Sequence, residues 1–325
     1  MGQMQAEIMK DGAALTLVRK EEIAKSIFEF ELRHPDGHEL PEFTAGAHIN
    51  VQAPNGLIRK YSLCNDPTER EHYVFAVKRE TAGRGGSVSL VDQTEVGQSV
   101  TVSAPANNFA LPPRATSFVF VAGGIGITPI MSMIRHLNAE PDKNFQLFYC
   151  ARSPEETAYR EVLSGPEYRR KVKIHHDGGD PEKALDLWPA LEERKNLAHI
   201  FCCGPRALME ATRDMSGHWP SSAVHFEAFG DTETRKAEDK AFTVKLARSG
   251  DVIDVPAGTT ILDAIRAKGH DVPSSCESGS CGTCRTTLLE GQADHRDFVL
   301  TDGERGSQIM ICVSRAHSSH LVVDR

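Results

Sequence analysis

At 325 residues the chain is long enough for two to three domains of roughly 150 residues. A formal charge of −8 with no long block of Lys or Arg speaks against a nucleic-acid partner and against an anionic membrane surface, both of which need a basic patch. No run approaches the roughly 18 to 20 apolar residues of a membrane span. Met1–Lys20 also lacks the apolar run and cleavage site of a signal peptide, so a cytoplasmic protein is expected.

Residues 1–112 read as short strands broken by turns. Ser26–Leu32 alternates polar and apolar, the period of a half-buried strand. Tyr73–Val77 and Ser99–Val102 are further strands, and Asp36-Gly37, Pro54-Asn55-Gly56 and Ala82-Gly83 are turn signals. Many short strands at this spacing predict a small antiparallel β-barrel. In 113–229 strands alternate with helices. Strands are expected at Ser117–Ala122, Phe145–Cys150, Val172–His175, His199–Cys203 and Val224–Phe226. Helices are expected from Ile127 to Leu137, over Glu155–Leu163 and over Arg206–Met215. That alternation predicts an α/β domain with a parallel sheet. Residues 230–240 are polar and without apolar periodicity, the signature of a linker. In 241–325, strands at Phe242–Leu246 and Val252–Val255 lead to a helix at Ile261–Lys268, then to four clustered cysteines, predicting a third, α+β domain.

Those cysteines carry the strongest chemical signal. Cys276-x4-Cys281-x2-Cys284, with Cys312 further on, is the plant-type spacing for a [2Fe–2S] cluster. A short loop must wrap the cluster to deliver three thiolates, and Gly279 and Gly282 free it from Cβ sterics. A zinc site is the competing reading, but zinc ribbons show two short-spaced pairs, and Cys312 has no such neighbour.

Five glycine-containing or aromatic motifs precede the cysteines. Arg59-Lys60-Tyr61-Ser62 matches the R-x-Y-S motif of the ferredoxin–NAD(P)+ reductase superfamily. Tyr61 can stack near a flavin, Ser62 can bond its ring, and Arg59 offers charge to a phosphate; an exposed Arg and a core Tyr would look the same. Gly83-Arg84-Gly85-Gly86-Ser87 reads as a turn presenting backbone amides to a phosphate beside a cationic Arg84. It follows Ala76-Val77-Lys78, whose backbone could meet the flavin ring edge. Gly123-Gly124-Ile125-Gly126-Ile127-Thr128-Pro129 lies between a buried strand and a helix, the place for a pyrophosphate. Thr128 is expected to cap that helix and Pro129 to fit its first turn. Cys203-Gly204-Pro205 ends a later strand; Cys203 either lies near a nicotinamide or is a small buried hydrophobe. Phe229, in Glu227-Ala228-Phe229, either covers the flavin face or fills a core.

Taken in this order, the motifs resemble the phthalate dioxygenase reductase family over essentially the whole chain. Cys203–Met209 and Ala293–Asp297 are especially similar to it. The resemblance implies FMN rather than FAD, NADH as donor, a β-grasp ferredoxin domain at the C-terminus, and a terminal Rieske-type aromatic-ring oxygenase as transient acceptor. No acid–base residue is required, and a monomer would suffice. NADPH sites place an Arg near the 2′-phosphate; Arg152 stands after the second strand of the α/β region, while Asp177 and Asp180 favour a free hydroxyl or a turn. The resemblance favours NADH. An iron–sulfur flavoprotein sensor, or a reductase for another partner, is the alternative.

Overall fold

Residues 12–229 and 236–325 are described by the computed structural model, and contacts divide them at His225/Phe226 into two units. No helix among them is long and apolar enough to cross a membrane.

The first sheet comprises β1 Ala13–Ala24, β2 Ile27–Arg33, β3 His48–Gln52, β4 Ile58–Ser62, β5 Tyr73–Lys78 and β6 Ser99–Val102, with helix α1 Gly86–Gln93 between the last two. Their order is β4-β3-β6-β1-β2-β5, with antiparallel pairing. A bridge between Leu63 and Phe75 joins the two ends, backed by Cys64 N–H donating to the Val74 carbonyl at 2.7 Å. The sheet is therefore a closed barrel. Leu17, Phe30, Leu32, Ile49 and Phe75 fill it, and Phe30 stacks on Phe75 at 5.2 Å. Ser26, expected inside a strand, stands in the β1–β2 turn with φ 61°.

The second sheet comprises β7 Ser117–Gly123, β8 Asn144–Ala151, β9 Val172–His176, β10 Ala198–Cys203 and β11 Val224–Glu227. Helices α2 Ile127–Asn138, α3 Arg160–Leu163, α4 Trp188–Leu191 and α5 Arg206–Met215 lie between these strands in the chain. The strand order is β11-β10-β7-β8-β9, and β10, β7, β8 and β9 pair in parallel. The order reverses between β7 and β10, which places the loops after those strands at a topological switch point, the usual ligand crevice of such sheets. The helix expected over Glu155–Leu163 shrinks to α3 because Tyr159 takes φ 58° and interrupts it.

The second unit holds β12 Phe242–Leu246, β13 Val252–Val255, α6 Ile261–Ala267, β14 Arg285–Glu290, β15 Ala293–Asp294, β16 Gln308–Met310, β17 Arg315–Ala316 and β18 His320–Val323. Its sheet runs β13-β12-β18-β14-β16. Parallel β12 and β18 lie at its middle and the other pairings are antiparallel, the mixed sheet of a β-grasp fold. The Thr260 hydroxyl caps α6 by accepting from Asp263 N–H at 3.0 Å, and Ile261, Leu262 and Ile265 are buried. Of the expected linker, residues 230–235 lie outside the described residues. Its far end is no solvated tether. The Asp239 carboxylate is buried and accepts two bonds from the Arg296 guanidinium, at 3.1 and 2.6 Å.

Candidate functional site

The first flavin motif lies on β4, where Tyr61 pairs with Ile49 and Arg59 with Val51 of β3. Tyr61 is half-buried and stacks on Phe75 at 5.3 Å, and burial pushes its hydroxyl pKa up, so it stays neutral. Ser62 is buried and sits opposite His48. Burial, with a smaller push from Lys60, brings the His48 imidazole down to about 3. That neutral ring beside the motif went unread in the sequence, where nothing marks it. β5 is the last strand of the sheet order, and Leu63 bridges its outer edge only at Phe75. Beyond that point Ala76 and Val77 are buried and Lys78 exposed, on an edge where a ligand can bond the backbone.

The second motif meets the first in space. A Cβ on Gly86 would stand 2.9 Å from Arg59 Nε, so only glycine lets the guanidinium lie on the start of α1. Gly85 precedes α1 with φ 85°, and no side chain caps the helix. Its first amides and Arg59 lie together at the helix start, an anion cradle of the kind that suits a phosphate. Asn55 secures it: its side-chain amide donates to the Gly85 carbonyl at 3.2 Å, and its backbone amide donates to Ser89 Oγ at 3.0 Å. Gly83 and Arg84 are exposed. The Ser87 hydroxyl already accepts from Glu80 N–H at 3.1 Å, so it closes the loop as well as facing the cradle's rim.

The nucleotide loop is built differently. Gly123 ends β7, and Gly124–Gly126 make a single 3-10 turn before α2. A Cβ on Gly126 would stand 2.1 Å from the Cys203 carbonyl oxygen. One on Gly123 would stand 2.5 Å from Pro205 Cδ, and one on Gly204 would lie 2.9 Å from Gly123 Cα. These three glycines interlock the loops after β7 and β10. Gly124 alone takes φ 52° with nothing within 4 Å of its Cβ position, so it is the one that faces open space. Tyr149 on β8, missed in the sequence, donates to the Gly124 carbonyl at 3.1 Å and fixes the turn. Thr128 does not cap the helix as expected. It is already within α2, buried, and its hydroxyl donates to the Ile125 carbonyl at 2.9 Å. Pro129 does occupy the first turn. Cys203 is fully buried.

At the ends of β8 and β9, Asp177 accepts from Gly179 N–H at 2.7 Å, and a Cβ on Gly179 would meet the Arg152 side chain at 3.8 Å. Asp177 thus makes the turn and keeps a second carboxylate oxygen, with Arg152 alongside. One more residue ties the nucleotide helix to the flavin strand. Arg135, in the last turn of α2, donates to the Cys64 carbonyl at 2.6 Å and lies 5.7 Å over the Tyr159 ring. Cys64 directly follows the strand end after the flavin motif, and burial pushes its thiol up to about 12, making it inert. Phe229 is half-buried two residues beyond β11.

In the second unit the cysteine loop fits a binuclear cluster. The Cys276 amide donates to Cys281 Sγ at 3.4 Å, and Cys284 and Cys312 are both buried. Among the described residues the one trio of metal-type ligand atoms within 4.8 Å of one another lies elsewhere, so the four sulfurs are not gathered as a single tetrahedral ion would require. Amides of Ser278 and Ser280 donate to Cys276 Sγ, each at 3.4 Å. The Cys281 thiol and these amides hold Cys276 well below the usual thiol range, the polarity a cluster sulfur needs. Gly279 (φ 74°) would place a Cβ 2.6 Å from Val313, and its carbonyl accepts from Phe298 N–H at 2.9 Å. Arg266 of α6, also missed, braces the loop entry through Glu277 at 2.7 Å and the Val272 carbonyl at 3.1 Å.

Comparison with known proteins agrees with this division. Residues 14–111 match the oxidoreductase FAD-binding domain family, 120–214 the oxidoreductase NAD-binding domain family, and 244–317 the 2Fe-2S iron-sulfur cluster binding domain family. The chain is 55% identical over 310 residues to the phthalate dioxygenase reductase of Burkholderia cepacia, covering 95% of this chain and 96% of that one. It is 53% identical over 320 residues to the phthalate 4,5-dioxygenase oxygenase reductase subunit of Pseudomonas putida, covering 98% and 99%. A solved structure of phthalate dioxygenase reductase, described as modular for electron transfer from pyridine nucleotides to [2Fe–2S], superposes with a TM-score of 0.74 at 54% identity over 97% of this chain and 98% of that one. The protein is an oxidoreductase with flavin, nicotinamide-nucleotide and iron–sulfur domains, and it belongs to the phthalate dioxygenase reductase family.

Proposed function

We propose that this protein takes hydride from NADH onto FMN and passes single electrons through a [2Fe–2S] cluster to a terminal Rieske-type aromatic-ring oxygenase, its transient partner. It works as a cytoplasmic monomer, with an FMN domain over 1–112, an NAD domain over 113–229, a linker over 230–240 and a ferredoxin domain over 241–325. The observation that carries this reading is the cysteine loop whose backbone amides turn onto the Cys276 and Cys281 sulfurs, in one chain with an anion cradle at α1 and an interlocked glycine turn at α2. When bound, flavin accepts electrons as a pair and releases them one at a time, and the cluster relays them singly.

The residues supply binding and orientation. Arg59, Arg84 and the amides of Gly83, Gly85, Gly86 and Ser87 hold the FMN phosphate. A single anion cradle suits a mononucleotide. Tyr61 stacks on the isoalloxazine, Ser62 and the Ala76–Lys78 backbone bond its edge, Lys60 lines the approach, and Phe229 covers the exposed face. Gly123, Gly124, Gly126, Thr128 and Pro129 receive the nucleotide pyrophosphate, and Cys203-Gly204-Pro205 borders the nicotinamide. The spare oxygen of Asp177 takes the ribose 2′-hydroxyl and would repel a 2′-phosphate, which favours NADH. Arg135 positions the two nucleotide sites of the first unit against each other. Hydride transfer then depends on orientation and needs no side-chain base.

The test is an anaerobic NADH titration of the purified holoprotein, followed in the visible and paired with mass analysis of the released flavin. Bleaching of both flavin and iron–sulfur bands with FMN as the released species, then turnover with a phthalate-type oxygenase, is expected. Bleaching by NADPH alone, released FAD, or no one-electron transfer to any Rieske oxygenase would overturn the corresponding part.

A further inference from the structure

The turn between β2 and β3 carries a cluster that electron transfer does not use. Ligand atoms of His34, Asp36 and His38 all lie within 4.8 Å of one another. The local sequence explains the convergence. Pro35 fixes one backbone angle. Gly37 takes φ 74° with nothing near its Cβ position, and its amide donates to the His34 carbonyl at 3.0 Å. The chain therefore doubles back and brings the two imidazole centroids to 4.9 Å at a 58° tilt. Asp36 N–H donates to His34 Nδ1 at 3.2 Å, which orients that ring.

Charge marks the site a second time. The neighbouring carboxylates are taken by arginines: Glu31 by Arg19 and Arg33, Glu39 and Glu42 by Arg70. Asp36 forms no such pair among the described residues. Two imidazole nitrogens and a carboxylate with no cation are a donor set for a borderline divalent ion such as zinc, nickel or copper, with water completing the coordination. A hard ion such as magnesium, which prefers oxygen ligands throughout, fits poorly.

We propose that His34, Asp36 and His38 form a surface site for one divalent ion of the zinc class, separate from the iron–sulfur cluster. The ion displaces the Asp36 amide from His34, either by taking the Nδ1 lone pair or by binding Nε2 while the ring proton moves to Nδ1. It thereby crosslinks the turn that joins β2 to β3.

Calorimetric titration of the untagged holoprotein with zinc chloride tests this, with the cluster spectrum recorded before and after. The wild type is expected to bind one more zinc ion per chain than the His34→Ala/His38→Ala variant, and magnesium is expected to give no heat. His38→Ala alone should weaken that site by at least roughly tenfold, the scale on which metal sites respond to loss of a supporting group. Zinc should raise the thermal midpoint of the wild type and leave the double variant unmoved; these residues are in an exposed turn, so both proteins should start from the same midpoint. Equal zinc stoichiometry and affinity in the wild type and the double variant, or no zinc uptake at millimolar concentration, would overturn the site.

Discussion

The nucleotide loop and the cysteine loop are both glycine-rich, yet glycine serves them for different reasons. In the nucleotide loop, Gly123 and Gly126 are demanded by backbone and ring atoms of the Cys203–Pro205 turn, and neither has a positive φ. In the cysteine loop, Gly279 and Gly282 take φ 74° and 84°, because the chain must turn its amides inward toward sulfur. Gly123 and Gly126 need room, whereas Gly279 and Gly282 need curvature, with room required as well at Gly279. A substitution tolerated in one setting therefore says little about the other.

The largest effect should come from the cysteine loop. Cys281→Ser removes one of the four thiolates of the cysteine loop, the one to which the Cys276 amide donates. It should abolish the iron–sulfur absorbance and electron flow to a one-electron acceptor, while anaerobic NADH still bleaches the flavin; a variant with intact cluster absorbance would break the assignment. Next is Gly126→Ala, whose new methyl meets backbone at 2.1 Å that cannot swing aside. A loss of about 1–3 kcal/mol, the overpacking range or above, is expected by denaturant unfolding. Gly124→Ala sharpens the contrast one residue past the same strand end, because it meets open space and left-handed backbone only. The cost should stay near 1–2 kcal/mol, with the effect showing mainly as a raised KM for NADH. Arg135→Ala removes a charged donor from the Cys64 carbonyl. It should slow flavin reduction by NADH without releasing flavin, and Arg135→Lys should restore part of the rate.

The smallest expected effect is in pH dependence. His48 is held neutral by burial, down to about 3 from 6.5, and burial likewise brings His225 down to about 4. The unfolded chain protonates both below about 6.5 while the folded chain does not, so it binds more protons and stability falls as pH drops through that window toward 3. Above it the contribution is complete. A His48→Gln variant should show a shallower acid limb in thermal melts; an unchanged slope would remove His48 from the account.

Much of this was legible because the signals are local. The cysteine spacing, the glycine turn after a buried strand and the parallel strands all lie in short stretches of sequence. β1 escaped because Arg19, Lys20, Glu21 and Glu22 break its alternation, and its register shifts between Leu17 and Arg19 and again between Glu22 and Ala24. The strand is real because Arg19 meets Glu29 at 2.6 Å and Glu31 at 3.2 Å across the sheet, pairings the chain order does not reveal. Tyr149 and Arg135 went unseen for a related reason. Each acts through a bond to a backbone carbonyl far along the chain, and no spacing rule records such contacts; Arg266 acts on the loop just after its own helix, where an exposed helical arginine looks the same in sequence. Thr128 was misjudged because Gly126 is the N-cap and α2 starts at Ile127, two residues earlier than a capping threonine requires. The pairing of Asp239, within the expected linker, was invisible because its partner, Arg296, is more than fifty residues away in the sequence.

The interlocked glycines also have a meaning for protein engineering. Gly123, Gly126 and Gly204 come from two separate strands, yet none can gain a side chain unless the opposite loop moves. The two loops are one heritable unit. A library that diversifies residues 123–126 while leaving 203–205 fixed samples mostly chains that fail to fold. Transplanting both segments together from a relative of different nucleotide preference keeps the fit, and Gly124 is the position where single changes can be explored alone.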